Sequence, residues 1–130
     1  MLRIVIVLIL ATHGIGHSIG VMGGWANSAW GGSSDSWLLT PALGRATAGL
    51  EGLIWLLPLA GFLVAAGALW AGIDLWRAIA VASAAVSLLA IALFPMQLPT
   101  FSLVGAVAVD LVTLIGLIWL QWPAADAVGA

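Results

Sequence analysis

The sequence contains no cysteine and very little charge. Without a thiol, the chain can form no disulfide and offers no sulfur ligand to a metal ion. Charged residues make up 6% of the 130 residues and the net charge is -2, so no basic stripe exists that would bind nucleic acid. Because 64% of the residues are hydrophobic, the chain also lacks the polar surface of a soluble catalytic domain.

The chain does contain long apolar runs. A membrane span needs about 20 apolar residues, and four such runs follow one another with short gaps. The mean hydropathy is +1.24. We predict an all-α polytopic membrane protein, a four-transmembrane-helix bundle formed by a single domain over residues 1–122. The expected helices cover about 2–22, 41–72, 75–94 and 100–122, followed by a flexible tail at 123–130.

Glycine and proline residues determine the predicted helix ends. The Gly23-Gly24 pair is a strong breaker and should end the first helix. Thr40 followed by Pro41 is typical of an N-cap and first helical residue, so the second helix should begin there. Pro58 should kink this helix, because its ring removes a backbone donor and clashes with the preceding turn.

A Trp-rich loop separates the first two predicted helices. It carries Trp25, Trp30 and Trp37 among glycine, serine and asparagine residues. Indole rings favour the headgroup level of a bilayer, so we expect this loop to be an interfacial segment on the membrane surface.

Three arginines indicate the orientation of the helices. Arg3 and Arg77 fall on one side and Arg45 on the other, so the positive-inside rule predicts that both termini are cytoplasmic. The apolar run after Arg3 is long enough to span, and we expect it to remain as a signal anchor. The composition fits a multi-pass protein of a prokaryotic inner membrane.

Four ionisable side chains fall inside the predicted spans. His13 and His17 are four residues apart, so they share one helix face at a separation of about 5 to 6 Å. Counting depth along the helices pairs His13 with Asp110 near mid-membrane, and pairs His17 with Glu51 nearer one surface. A carboxylate at the centre of a span costs about 2.5 to 3.5 kcal/mol, so Asp110 should face the bundle interior.

This arrangement predicts a ligand-binding site formed by His13, His17, Glu51, Trp55 and Asp110. The structural alternative is that the same groups only hold the helices together, as we expect of the hydroxyls of Thr12, Ser83, Ser87 and Thr113. Both a charged and a neutral form of the histidines and Asp110 remain open at this point.

Metal and haem are weaker alternatives. Two histidines at this spacing can hold one zinc or similar ion, with Glu51 or Asp110 as a third ligand. The His13-to-His17 motif lacks the internal glutamate that zinc proteases use as a general base. Two histidines on one face of one helix cannot approach opposite faces of a porphyrin, so each would need a second partner from elsewhere to hold haem.

Three stretches of the chain resemble the DoxX-like family of small four-helix bacterial membrane proteins. They are the opening Leu-Arg-Ile-Val run leading to His13-Gly14, the segment Leu50-Glu51-Gly52-Leu53, and the short turn with Arg77 before an Ala-rich helix. The family usually has a lysine soon after the first His-Gly, where this chain has Ile15, Gly16 and His17. The resemblance implies a four-helix fold and a membrane subunit associated with quinone or thiol redox systems, or one that assists other membrane proteins.

Several functions fit these features. The first is a small integral membrane protein that binds a hydrophobic small molecule or a quinone at the His/carboxylate site. The second is a proton-coupled transporter or channel, which would need a homo-oligomer because four spans leave little room for a pathway. The third is a purely structural subunit with a membrane-protein partner. An intramembrane enzyme is a further possibility, although the sequence shows no nucleophile for one. The sequence does not identify a cofactor.

Overall fold

The structure is a computed structural model that describes residues 1–26 and 32–128. The described residues form helices and contain no strand, which confirms the all-helical class. The elements are α1 (Leu2–Gly16), α2 (Ser18–Ala26), α3 (Thr40–Leu43), α4 (Ala46–Trp70), α5 (Trp76–Leu93), α6 (Thr100–Leu114), a π-helical segment (Ile115–Trp119) that continues α6, and α7 (Ala125–Val128).

Four helices in the described part of the chain are long and apolar enough to cross a membrane. They are Leu2–Ala26, which joins α1 and α2, then Ala46–Trp70, Trp76–Leu93 and Thr100–Trp119. The number of span-length helices therefore agrees with the sequence prediction. Their bounds differ from the predicted ones most at the end of the first helix and at the start of the second.

The first helix does not stop at Gly23-Gly24 but continues to Ala26. These glycines are contact points with other elements. A side chain at Gly24 would collide with the backbone of Ala48 and Gly52 in α4, and one at Gly23 would collide with Gln97. Small residues let helix backbones approach closely, so the pair that looks like a breaker in sequence serves here as a packing surface.

The second predicted helix is divided in two. The short helix α3 ends at Gly44, which has a φ of +54°, and α4 begins at Ala46. A positive φ is accessible to glycine without strain, which explains why the chain turns at this residue. From Ala46, α4 runs without interruption through the buried Pro58 to Trp70.

Helix α4 is the centre of the bundle. It packs along both α1 and α2 on one side and against α5 on the other, and α6 packs against α5. The main core between α1, α4 and α5 contains Leu10, Phe62, Leu69, Trp76 and Ala80. Since α6 is held by α5, a groove remains between α1 and α6.

The chain termini meet at one end of the bundle. Arg3 donates from Nε to the carbonyl oxygen of Val128, and Arg77 donates to the carbonyl of Pro123. Val128 is only 3% exposed and belongs to the core. The flexible tail expected at 123–130 stays a prediction. Among its described residues, Pro123 and Val128 accept from the two arginines, and Val128 buries its side chain.

Tryptophan side chains lie at both ends of the bundle and in its core. Trp70, Trp119 and Trp122 are exposed at the end that carries the termini, but Trp76 is 1% exposed and lies in the core. At the other end, Trp37 donates its indole N–H to the carbonyl of Ala92 over 2.7 Å. Trp30 lies outside the described residues, so the interfacial position of the Trp-rich loop stays a prediction.

Candidate functional site

The centre of the site is a direct contact between α1 and α6. His13 Nε2 lies 2.8 Å from Asp110 Oδ1, and Asp110 is fully buried. The imidazole of His13 makes edge-to-face contacts with His17 and Phe62, with ring centroids 4.8 and 4.7 Å away. The structure thus brings together the two residues that the sequence places at the same depth, and packing on its ring fixes the orientation of His13.

Ser87 of α5 connects this pair to His17. Its hydroxyl oxygen lies 2.5 Å from Asp110 Oδ2 and 2.7 Å from His17 Nε2, and the residue is fully buried. We call His13, His17, Ser87 and Asp110 the polar quartet. It joins the first, third and fourth span-length helices through hydrogen bonds in the protein interior.

Sequence reasoning missed Ser87 as part of the site. It grouped this serine with Ser83 as a helix-packing residue, and Ser83 does donate to the carbonyl of Ile79 on its own helix over 2.7 Å. Depth counting gives no signal for Ser87. His17 lies nine residues before the end of α2, and Ser83, ten residues before the end of α5, matches that depth better than Ser87, which is six residues before it. Depth also does not say which serine points toward the histidines.

His17 occupies the turn between α1 and α2 and is only 3% exposed. Its Nδ1 lies 2.8 Å from the carbonyl oxygen of His13, one turn earlier. A carbonyl can only accept, so Nδ1 carries a proton and donates. This contact directs Nε2 of His17 toward Ser87.

Glu51 does not pair with His17, contrary to the depth-based prediction. Trp55, one turn further along α4, takes the place beside His17, with ring centroids 5.6 Å apart. Glu51 is fully buried, and neither carboxyl oxygen has a hydrogen-bond partner within the described residues. Thr47 Oγ1 on the first turn of α4 and Gln97 Oε1 between α5 and α6 are also buried without a hydrogen-bond partner among the described residues.

The groove between α1 and α6 leads to His13. Its volume is about 580 Å³. Leu8 and Phe101 at its rim are 60% and 91% exposed, while Trp55 in its wall is 1% exposed. The remaining lining residues are mostly apolar: Ile9, Thr12, His13, Gly16, His17, Ile19, Leu98, Ser102, Gly105, Ala106 and Val109. Such a groove suits an apolar molecule whose polar end reaches the histidine.

One cluster in the described residues has the composition of a metal site. Candidate ligand atoms of His13, His17 and Asp110 lie within 4.8 Å of one another, whereas Glu51, the third ligand considered from sequence, is not part of this cluster. Both ring nitrogens of His17 and both oxygens of Asp110 already lie at hydrogen-bond distance from protein atoms. An ion bound here would have to displace the contacts made through Ser87.

No family model matches the chain, and no curated protein and no solved structure gives a significant match.

Proposed function

We propose that this chain is an integral membrane protein that binds a small lipophilic molecule in the groove between α1 and α6. The observation that supports this most strongly is the position of His13, which lines a mostly apolar groove and is held by Asp110 at 2.8 Å. An apolar wall buries the body of a ligand, and a single positioned polar group orients its head. Quinones belong to this chemical class, and the DoxX-like resemblance of the sequence implies them.

The groove is accessible from the side of the helix bundle. Leu8, Ile9 and Phe101 at its edge are exposed large apolar residues. In a bilayer these residues face acyl chains, so a lipid-soluble molecule enters laterally without crossing water. The four span-length helices have the length that such an insertion requires.

Binding of decylubiquinone, in its oxidised and reduced forms, to the purified protein in nanodiscs tests this proposal. We expect saturable binding of at least one form that is lost in His13→Ala. Gly16→Leu should also block binding, because Gly16 lines the groove and the new side chain would fill open space there. This substitution leaves the contact between His13 and Asp110 intact. Gly67→Leu is the matched control, since Gly67 also has open space but lies outside the groove. Equal binding by the unmodified protein, His13→Ala and Gly16→Leu would contradict the proposal.

A proton-coupled carrier that works as a homo-oligomer is the second candidate. It is favoured by the polar quartet, whose hydrogen bonds link three helices, and by the fourth span-length helix, which is only 6% buried and offers a face to lipid or to a second copy. Liposomes containing the protein should then show pH-dependent proton flux that Ser87→Ala abolishes. Absence of flux would remove this candidate and leave the binding proposal in place.

A further inference from the structure

The polar quartet determines which hydrogen-bonding group the groove presents to a ligand. The inference rests on the proposed function and concerns the head group of the bound molecule. It depends on counting protons around the Ser87 hydroxyl, which lies 2.5 Å from Asp110 Oδ2 and 2.7 Å from His17 Nε2. Both distances are those of hydrogen bonds, so each contact needs a proton between its two heavy atoms.

Ser87 has one proton and can donate it only once. If it donates to Asp110, then His17 Nε2 must carry a proton and donate to Ser87 Oγ. If it donates to His17, then Asp110 Oδ2 must carry the proton and donate to Ser87 Oγ. The two states differ by the shift of one proton along the line from Asp110 to His17, and His17 Nδ1 keeps its own proton in both.

In both states Asp110 Oδ1 has no proton. The 2.8 Å contact between this oxygen and His13 Nε2 therefore requires the proton to be on the histidine. The quartet is neutral overall when His13 carries this proton alone, and a net charge in an apolar interior is costly. His13 Nδ1 is then left with a free lone pair, and it makes no hydrogen bond to the described residues.

Trp55 contributes the complementary group. It lines the same groove, is 1% exposed, and its indole Nε1 has no hydrogen-bond partner among the described residues. A buried N–H without an acceptor costs free energy, so an acceptor supplied by a ligand is favourable. Two side chains that line the groove thus each leave a group unpaired among the described residues, an acceptor at His13 Nδ1 and a donor at Trp55 Nε1.

We infer that the groove binds a lipid-soluble molecule whose polar end is a hydroxyl group, such as a phenol or an alcohol. A hydroxyl can donate to His13 Nδ1 and can accept from Trp55 Nε1, so its chemistry matches both unpaired groups. A carbonyl or an ether oxygen accepts from Trp55 but leaves the lone pair of His13 unsatisfied. Thr12 and Ser102 also line the groove, but their hydroxyls can both donate and accept and so do not discriminate between these head groups.

The test compares nonylphenol with its methyl ether, nonylanisole, on the full chain in lipid nanodiscs. Saturation binding of tritiated nonylphenol gives one affinity, and displacement of the label by nonylanisole gives the other. We expect nonylphenol to bind about ten-fold more tightly, because the ether loses one hydrogen bond and leaves a buried acceptor unpaired. Trp55→Phe should weaken both ligands, since both accept from the indole.

Ser87→Ala tests whether Ser87 determines which ring nitrogen of His13 carries the proton. Ser87 is not part of the groove wall, so the substitution removes no contact with the ligand. Without its hydroxyl, the acid proton of Asp110 can lie on Oδ1 and donate to His13 Nε2, while His13 carries its own proton on Nδ1. The lone pair on Nδ1 is then lost, and the preference for nonylphenol should fall toward one. Ser83→Ala is the matched control on the same helix and should keep the preference, since Ser83 bonds only to its own helix.

A direct readout comes from the ring nitrogens of ¹⁵N-histidine-labelled protein by NMR. Nδ1 of His13 should be unprotonated, and Nδ1 of His17 should be protonated. A protonated Nδ1 on His13, or equal affinity for the phenol and the ether, would overturn the inference while the groove remains a ligand site. Binding of neither nonylphenol, nonylanisole nor decylubiquinone would overturn the proposed function and the inference together.

Discussion

Asp110 connects three helices at the scale of single side chains. Its oxygens contact His13 from α1 and Ser87 from α5, and the residue itself is on α6. A buried carboxyl group with this many partners leaves several polar atoms unpaired when it is removed. Its contribution therefore lies less in any one bond than in keeping the whole quartet satisfied.

Asp110→Ala should lower the free energy of unfolding by about 1 to 3 kcal/mol, because His13 and Ser87 each lose a partner in the interior. Asp110→Asn should cost much less. The amide oxygen can accept from His13 while the amide nitrogen donates to Ser87, which then donates to His17. Denaturant titration in mixed micelles measures both values. Equal stability of the alanine variant and the unmodified protein would show that the quartet does not hold the helices together.

The side chains of the site could be predicted from the sequence only in part. The depth of a residue along a helix can be counted from the sequence. This count put His13 level with Asp110, and the two side chains are in contact in the structure. Rotation about the helix axis cannot be counted in the same way. For that reason Ser87 was missed and Glu51 was paired with His17, although Trp55 lies beside His17 instead.

At the scale of the helices, close approach of α2 to α4 depends on glycine. Gly20 faces the ring of Trp55, and Gly24 faces the backbone of Ala48 and Gly52. The long apolar runs were enough to predict four span-length helices. Their ends were harder, since a glycine can interrupt a helix, as Gly44 does with its positive φ, or allow a neighbour to approach, as Gly24 does. Whether a glycine interrupts a helix or lets a neighbour approach depends on which element packs against it, and the sequence alone does not give that element.

Gly24→Ala should destabilise the protein by about 1 to 3 kcal/mol, the usual cost of forcing a methyl group into a filled interface. Gly67→Ala adds the same methyl group to α4 where nothing lies within 4 Å, so its unfolding midpoint should be unchanged or slightly raised. Unfolding of both variants by denaturant in the same micelles gives the comparison. A Gly24→Ala variant as stable as Gly67→Ala would mean that α2 and α4 do not pack as described.

At the scale of the whole molecule, the four span-length helices are an even number, so both termini lie on the same side if all four cross a bilayer. Contacts of Arg3 with Val128 and of Arg77 with Pro123 gather the termini at one end of the bundle. The arginine distribution predicts that this end is cytoplasmic.

Reporter fusions test this topology. A fluorescent protein that folds only in the cytoplasm should be active when fused after residue 130, and alkaline phosphatase should be active when inserted in the segment after Leu93. The opposite pattern would reverse the orientation. An active fluorescent protein together with an inactive alkaline phosphatase would place both fusion sites in the cytoplasm. That result would contradict a crossing by the fourth helix.

Photolabelling shows whether a lipophilic ligand occupies the groove between α1 and α6. The probe is nonylphenol with a diazirine on its alkyl chain, and peptide mapping locates the adducts. We expect adducts on groove residues such as Leu8, Ile9 and Phe101, and excess unlabelled nonylphenol should suppress them. Leu53 and Leu57 are exposed on α4 outside the groove. Equal labelling of these two residues that competitor does not reduce would contradict a ligand site in the groove.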